Sequence, residues 1–140
     1  MAAGDIKGEE AVIEYVTAGA VVTKGQLVHL EPDDNKWDPA VTDDYGPWGV
    51  AHAAAAADGA TFPVVTYGRV EIKYGGTDDA LVGAVLRPAT QAISATSDGA
   101  IGDVTEAGGD CSGNKVCGTA SELMDTSGNT YTMFIGRGGA

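Results

Sequence analysis

TFPVVTYGRVEIKY, from Thr61 to Tyr74, alternates strictly in its second half, with Val70, Ile72 and Tyr74 on one side and Arg69, Glu71 and Lys73 on the other. Successive side chains of an extended chain point to opposite faces, so this pattern predicts a half-buried β-strand. Asp58-Gly59 before it and Gly75-Gly76 after it supply turn chemistry. Further strands are expected at Ala11–Val16, Ala20–Leu30 with a break at Lys24-Gly25, Trp37–Val41, Trp48–Ala51, Ala80–Leu86 (stopped by Arg87-Pro88) and Thr130–Ile135. Ala92–Ala95 and Ile101–Thr105 read as a hairpin about Ser97-Asp98-Gly99, and Cys117–Met124 as a strand or crossover. Ala53–Ala57 is too short for a helix and reads as a loop or a single helical turn. With 21 glycines and only 6% aromatic residues, the chain is predicted to be all-β, a small β-barrel.

The sequence also matches itself in order. Ile13-Glu14-Tyr15 answers to Ile72-Lys73-Tyr74, Gly25–Val28 to Gly83–Leu86, Gly49-Val50-Ala51 to Gly118-Thr119-Ala120, Gly59–Phe62 to Gly128–Tyr131, and Gly68-Arg69 to Gly136-Arg137. The offset grows from about 58 to 69, and the glycine-rich stretch Ala107–Cys117 is the expected insertion. The domain reading is therefore a flexible arm over residues 1–10, then one β domain over 11–140 made of two pseudo-repeats, about 11–69 and 70–137, sharing one core.

At 140 residues the chain can bury a core without metal or disulfide support. Twenty acids against eight bases give a net charge of −12, which argues against nucleic acid or an anionic membrane as partner. Such acidity serves solubility and also suits a protein working in concentrated salt, a halophilic setting. MAAGDIKGEE has no apolar segment of a secretory signal, and nothing after it is long enough to span a bilayer, so synthesis in the cytoplasm is expected.

Candidate chemistry is sparse. His29 alternates with Leu27 and is expected on a solvent-facing position, while His52 is expected to pack against a loop; neither lies near a nucleophile pattern. Asp33, Asp34, Asn35 and Asp38 are oxygen-rich but lack the spacing of a calcium loop, so no metal and no cofactor are assigned. Cys111 and Cys117 are spaced to close a small disulfide ring or to stand as two free thiols. Trp37, Tyr45 and Trp48 either close the core or form an aromatic surface for a glycan or another protein. No enzyme is indicated.

One set of residues resembles a known family. Gly49-Val50-Ala51, the alanine- and acid-rich turn to Asp58-Gly59, Val64-Val65 and Gly68, with Lys24–Val28 and the hairpin Asn35–Ala40, resemble the capsid decoration (cement) proteins of tailed viruses. The resemblance implies a small β-barrel or β-tulip, commonly a trimer, on the outer face of an icosahedral head, where it bridges subunits of the major capsid protein. Cys111 and Cys117 in their insertion, and the strong acidity, depart from that pattern. The acidic charge and the absence of a basic patch agree with the outside of a capsid better than its DNA-facing side. The arm residue Ile6 and the first strand, Ala11, Val12, Ile13, Glu14 and Tyr15, are the expected partner contacts, together with Trp37 and Trp48. The alternative is a surface β module of receptor-binding or head-fibre type.

Overall fold

The strand expected from residue 61 is the spine of the molecule. The computed structural model describes residues 2–8, 10–89, 100–108 and 115–136. Among these, nine strands form: β1 Val12–Thr17, β2 Leu27–Leu30, β3 Trp37–Pro39, β4 Trp48–Ala51, β5 Thr61–Lys73, β6 Val85–Pro88, β7 Val104–Glu106, β8 Gly118–Ala120 and β9 Thr130–Ile135. The pairings are antiparallel, in the order β3-β2-β4-β5-β9-β8-β6-β7, with β1 on the other edge of β5. The protein is all-β, its sheet curled into a half-barrel.

β5 serves two arrays. Its first half pairs with β1 and β4, and its second half with β9. The array β3-β2-β4-β5 has the same order as β7-β6-β8-β9, and the registers coincide: Val28↔Gly49 corresponds to Leu86↔Gly118, and Ala51↔Val64 to Ala120↔Met133. Even the isolated bridges match, Val22↔Ala55 with Ala80↔Met124 and Ala18↔Trp37 with Tyr74↔Val104. The last two pairs exchange size, a small residue facing a large one in both arrays but in opposite order.

These registers revise one of the sequence matches and the place of the insertion. Val16↔Phe62 corresponds to Ile72↔Tyr131, so the counterpart of Ile72 is Val16 and not Ile13. The I-x-Y coincidence came from strand alternation alone. Six residues (31–36) join β2 to β3, whereas fifteen (89–103) join β6 to β7; eight (40–47) join β3 to β4, against eleven (107–117) between β7 and β8, whose first residue, Gly118, is the counterpart of Gly49, the second residue of β4. Nine of the eleven extra residues therefore fall between β6 and β7, outside the stretch 107–117.

Two clusters make the core. Ala18, Val22, Val28, Trp37, Ala51, Ala55, Phe62 and Val64 fill the first array. The larger cluster includes their counterparts Tyr74, Ala80, Leu86, Val104, Ala120, Met124 and Met133, and runs under β5 to Leu27, Trp48, Val50 and Val65. Gly59 and Gly128, at φ +89° and +92°, end equivalent turns in the left-handed region that glycine enters without a Cβ penalty.

Elsewhere the chain departs from its pattern. Residues 81–84 form a turn, with Ala84 N–H donating to Leu81 O at 2.9 Å, so β6 begins at Val85 and continues through Pro88. β7 pairs with β6; the expected partner Ala92–Ala95 and the turn Ser97-Asp98-Gly99 lie outside the described residues. Ala53–Ala57 is a loop bridged at Ala55. The arm is paired rather than loose: Gly4 N–H donates to Glu71 O (2.8 Å), Glu71 N–H to Asp5 O (2.9 Å) and Lys7 N–H to Arg69 O (3.0 Å). The second half of β5 would otherwise present open backbone along that edge, and the arm satisfies it. Glu71, expected among the exposed residues of its strand, is buried beneath this cover and accepts a hydrogen bond from Thr132 Oγ1 at 2.9 Å.

Candidate functional site

Among the described strands the most exposed is β1. Val12, Ile13, Glu14, Tyr15 and Thr17 are all exposed, Tyr15 at 74%, and only Val16 reaches inward to the first core cluster. A strand with apolar residues open to solvent on both faces is unusual in a free monomer. Opposite Val12 lies Tyr67, whose ring meets Phe134 edge-on at 5.1 Å and 82°. Beside this pair runs a groove of about 310 Å³ lined by Gly8, Glu10, Tyr67, Gly68, Arg69 and Phe134.

The other expected contact residues are placed differently. Ile6 and Ala11 are half-buried against the larger core cluster. Trp37 and Trp48 are buried, at 8% and 5% exposure, and offer no face to a sugar or a partner. They close the core because β3 and β4 turn them inward; only Tyr45 of that trio is exposed. Tyr67 and Phe134 were not singled out from sequence, since each looks like a core strand residue by type.

A second groove, about 490 Å³, lies among Leu30, Glu31, Pro32, Asp43, Asp44, Tyr45 and Pro47, with His29 at its base. His29 is not solvent-facing as its alternation suggested: it is 4% exposed. Its Nδ1 sits 3.1 Å from the Tyr45 carbonyl, and its Nε2 lies 3.1 Å from both Glu31 Oε1 and Asp44 Oδ2. The ring thereby fastens the turn after β2 and the loop before β4 to one point. Its partners are oxygen acceptors, with no hydroxyl or thiol among them, so the arrangement is a fastening and not a nucleophile–base pair. His52 packs against the arm, its Nδ1 2.8 Å from Gly4 O.

Three carboxyl groups, one of them in this groove, hold their protons more tightly than usual. Burial pushes Glu31 up from 4.5, with Asp38 and Asp44 adding to it and His29 opposing. Burial likewise raises Asp38 from 3.8, reinforced by Asp34, and raises Asp103, whose carboxyl accepts a hydrogen bond from Ala100 N–H at 3.0 Å. An acid with a raised folded-state value contributes stability below its unfolded value and loses it as pH rises through the folded one. The melting temperature is therefore expected to fall as pH is raised from about 4 upward through the shifted values of these three groups. Asp103→Asn, which keeps an acceptor oxygen, is expected to flatten that fall; thermal melts of both proteins across this range measure it.

Among the described residues no three His, Cys, Asp or Glu side chains converge to hold a metal ion. Asp34 Oδ1 accepts Lys36 N–H at 3.0 Å, so that carboxylate organises its own turn. Cys117 is a buried thiol whose Sγ lies 3.4 Å from Leu86 O, with burial pushing its pKa up to about 12. Such a group is unreactive in the folded protein. Cys111, the expected disulfide with it, and Arg137 of the second Gly-Arg corner lie outside the described residues.

No family model matches the chain, and no curated protein matches it in sequence. Among solved structures, it is similar to the N base of the head fibre protein gp8.5 of bacteriophage phi29, with a TM-score of 0.59 and 18% identity over 91% of this chain and 96% of that one.

Proposed function

We propose that the chain is a structural component of a tailed-virus head, seated on the outer surface of the capsid, where it holds neighbouring subunits of the major capsid protein together. The observation that supports this most is the likeness in fold, across nearly the whole of both chains, to a phage head fibre base. The exposed apolar strand β1 and the net charge of −12 agree with it, since an acidic body is repelled by packaged DNA and needs an apolar place to grip protein. Binding the intact shell but not the broken one stabilises the intact form by mass action, about 2.7 kcal/mol per site at a hundredfold excess over Kd. That the neighbour is the base of a head fibre favours a second reading, in which the domain is the foot of a fibre and its grip serves attachment.

Heads assembled without the chain separate these readings. Under the first, they are expected to release DNA at a lower temperature than complete heads, and added protein is expected to sediment with them and restore the difference. Sedimentation without any gain in heat resistance leaves the fibre-foot reading. No sedimentation at all defeats both.

A further inference from the structure

The two arrays differ in one place that matters for binding. β1 and the second half of β5 are counterparts, Ala18 corresponding to Tyr74, Tyr15 to Glu71 and Ile13 to Arg69. Each has an outer edge, away from the strand it shares with its own array. At the end of that edge both meet the array's last strand, through Ala18↔Trp37 in one and Tyr74↔Val104 in the other. Further along, the arm covers the edge of β5, bonding the backbone of Arg69 and Glu71. The equivalent backbone on β1, that of Ile13 and Tyr15, meets no strand among the described residues.

The direction of these groups follows from the pairing. Ala18 N–H donates to Ala60 O, and Gly59 N–H to Ala18 O, so Ala18 faces β5. Alternation turns Val16 and Glu14 the same way and Tyr15 and Ile13 outward. Resting on the proposed capsid role, we propose that this open edge receives an extended segment of a capsid subunit, added antiparallel as a further strand with the arm on β5 as its internal template. The chain's own arm is already engaged at β5. Two copies pairing β1 to β1 about Glu14 would set like charges opposite each other in a chain of net charge −12. The segment that fits carries Lys or Arg opposite Glu14, with apolar residues on either side to meet Ile13 and Tyr15. The arm shows the same chemistry, its Lys7 ammonium 4.0 Å from Glu71 on the strand it covers.

Amide hydrogen exchange on the free protein, then on purified heads, tests the edge directly. In the free protein the amides of Ile13 and Tyr15 are expected to exchange fast and those of Glu14 and Val16 slowly. On heads, Ile13 and Tyr15 are expected to slow by at least tenfold. Glu14→Lys and Tyr15→Pro are each expected to lower the affinity for heads about tenfold, and Tyr15→Ala less, because it keeps the amide. Where Tyr15→Pro does not fold, the exchange on wild-type protein decides. If the wild type binds heads while Ile13 and Tyr15 stay fast, the strand-addition site is wrong and the capsid role survives. If protection appears in free protein as its concentration rises, a second copy is the occupant and the inference falls. If wild-type protein ignores heads, both proposals fall together.

Discussion

Gly118→Ala is expected to destabilise the protein by about 3 kcal/mol, lowering its melting temperature by roughly 10 °C. Gly118 lies between Leu86 of β6 and Ile135 of β9, and a Cβ there would fall inside contact distance of the Phe134 carbonyl oxygen and 2.7 Å from Met133 Cε. The carbonyl belongs to the neighbouring strand, so relief requires β8 and β9 to part. Gly49, its counterpart, would meet the Val64 side chain and approach the Val65 carbonyl at 3.2 Å. Val64 is fully buried and stiff at χ1, so Gly49→Ala is expected to cost about 2 kcal/mol. Gly59→Ala separates space from conformation: nothing lies within 4 Å of its Cβ, and only its φ of +89° resists, at a cost of about 1 kcal/mol. Thermal melts of the three variants should rank 118, 49, 59. If Gly118→Ala melts no lower than Gly59→Ala, the close approach of β8 and β9 is not a feature of the folded protein.

The same two glycines explain what could be read beforehand. Gly49-Val50-Ala51 and Gly118-Thr119-Ala120 matched in sequence because both positions need a residue without a Cβ, a requirement written in residue type. β4 and β9 likewise ran to their expected ends, since an apolar run between turn residues constrains both limits. The burial of Glu71 and His29 was hidden for a different reason. Alternation assigns a residue to a face of its own strand, but its surroundings come from far along the chain: residues 4–7 beside Glu71, and Asp44 and Tyr45 around His29. For the candidate site, the strand expected at Ala11–Val16 forms and is exposed along most of its length, whereas Trp37 and Trp48 were ambiguous because tryptophan serves core and interface equally. Only the pairing of the arm with β5 set apart the open edge at Ile13 and Tyr15 from the closed one at Arg69 and Glu71.

Removing residues 2–8 is expected to cost about 2 kcal/mol and to make the protein associate with itself. The deletion removes the three backbone hydrogen bonds to β5, at about 1 kcal/mol each, and the packing of Ile6 against the larger core, worth about 1.5 kcal/mol. It also ends the 2.6 Å Lys24–Asp5 ion pair, which is exposed and adds little. Against these losses, seven residues regain their freedom, which returns a large part of the gain. The remaining penalty understates the change, because the edge of β5 at Arg69 and Glu71 then opens in addition to that of β1 at Ile13 and Tyr15. An unpaired edge on β5 is a template for another chain. Full-length protein should sediment as the same species from micromolar to submillimolar concentration, and the truncated form should grow with concentration. Ile6→Ala isolates the packing: it is expected to lower stability by about 1–2 kcal/mol while leaving the edge covered and the sedimentation unchanged. If the truncated protein melts where the full chain does and sediments with it, the arm does not cover β5 in solution, and β1 has no internal template for strand addition.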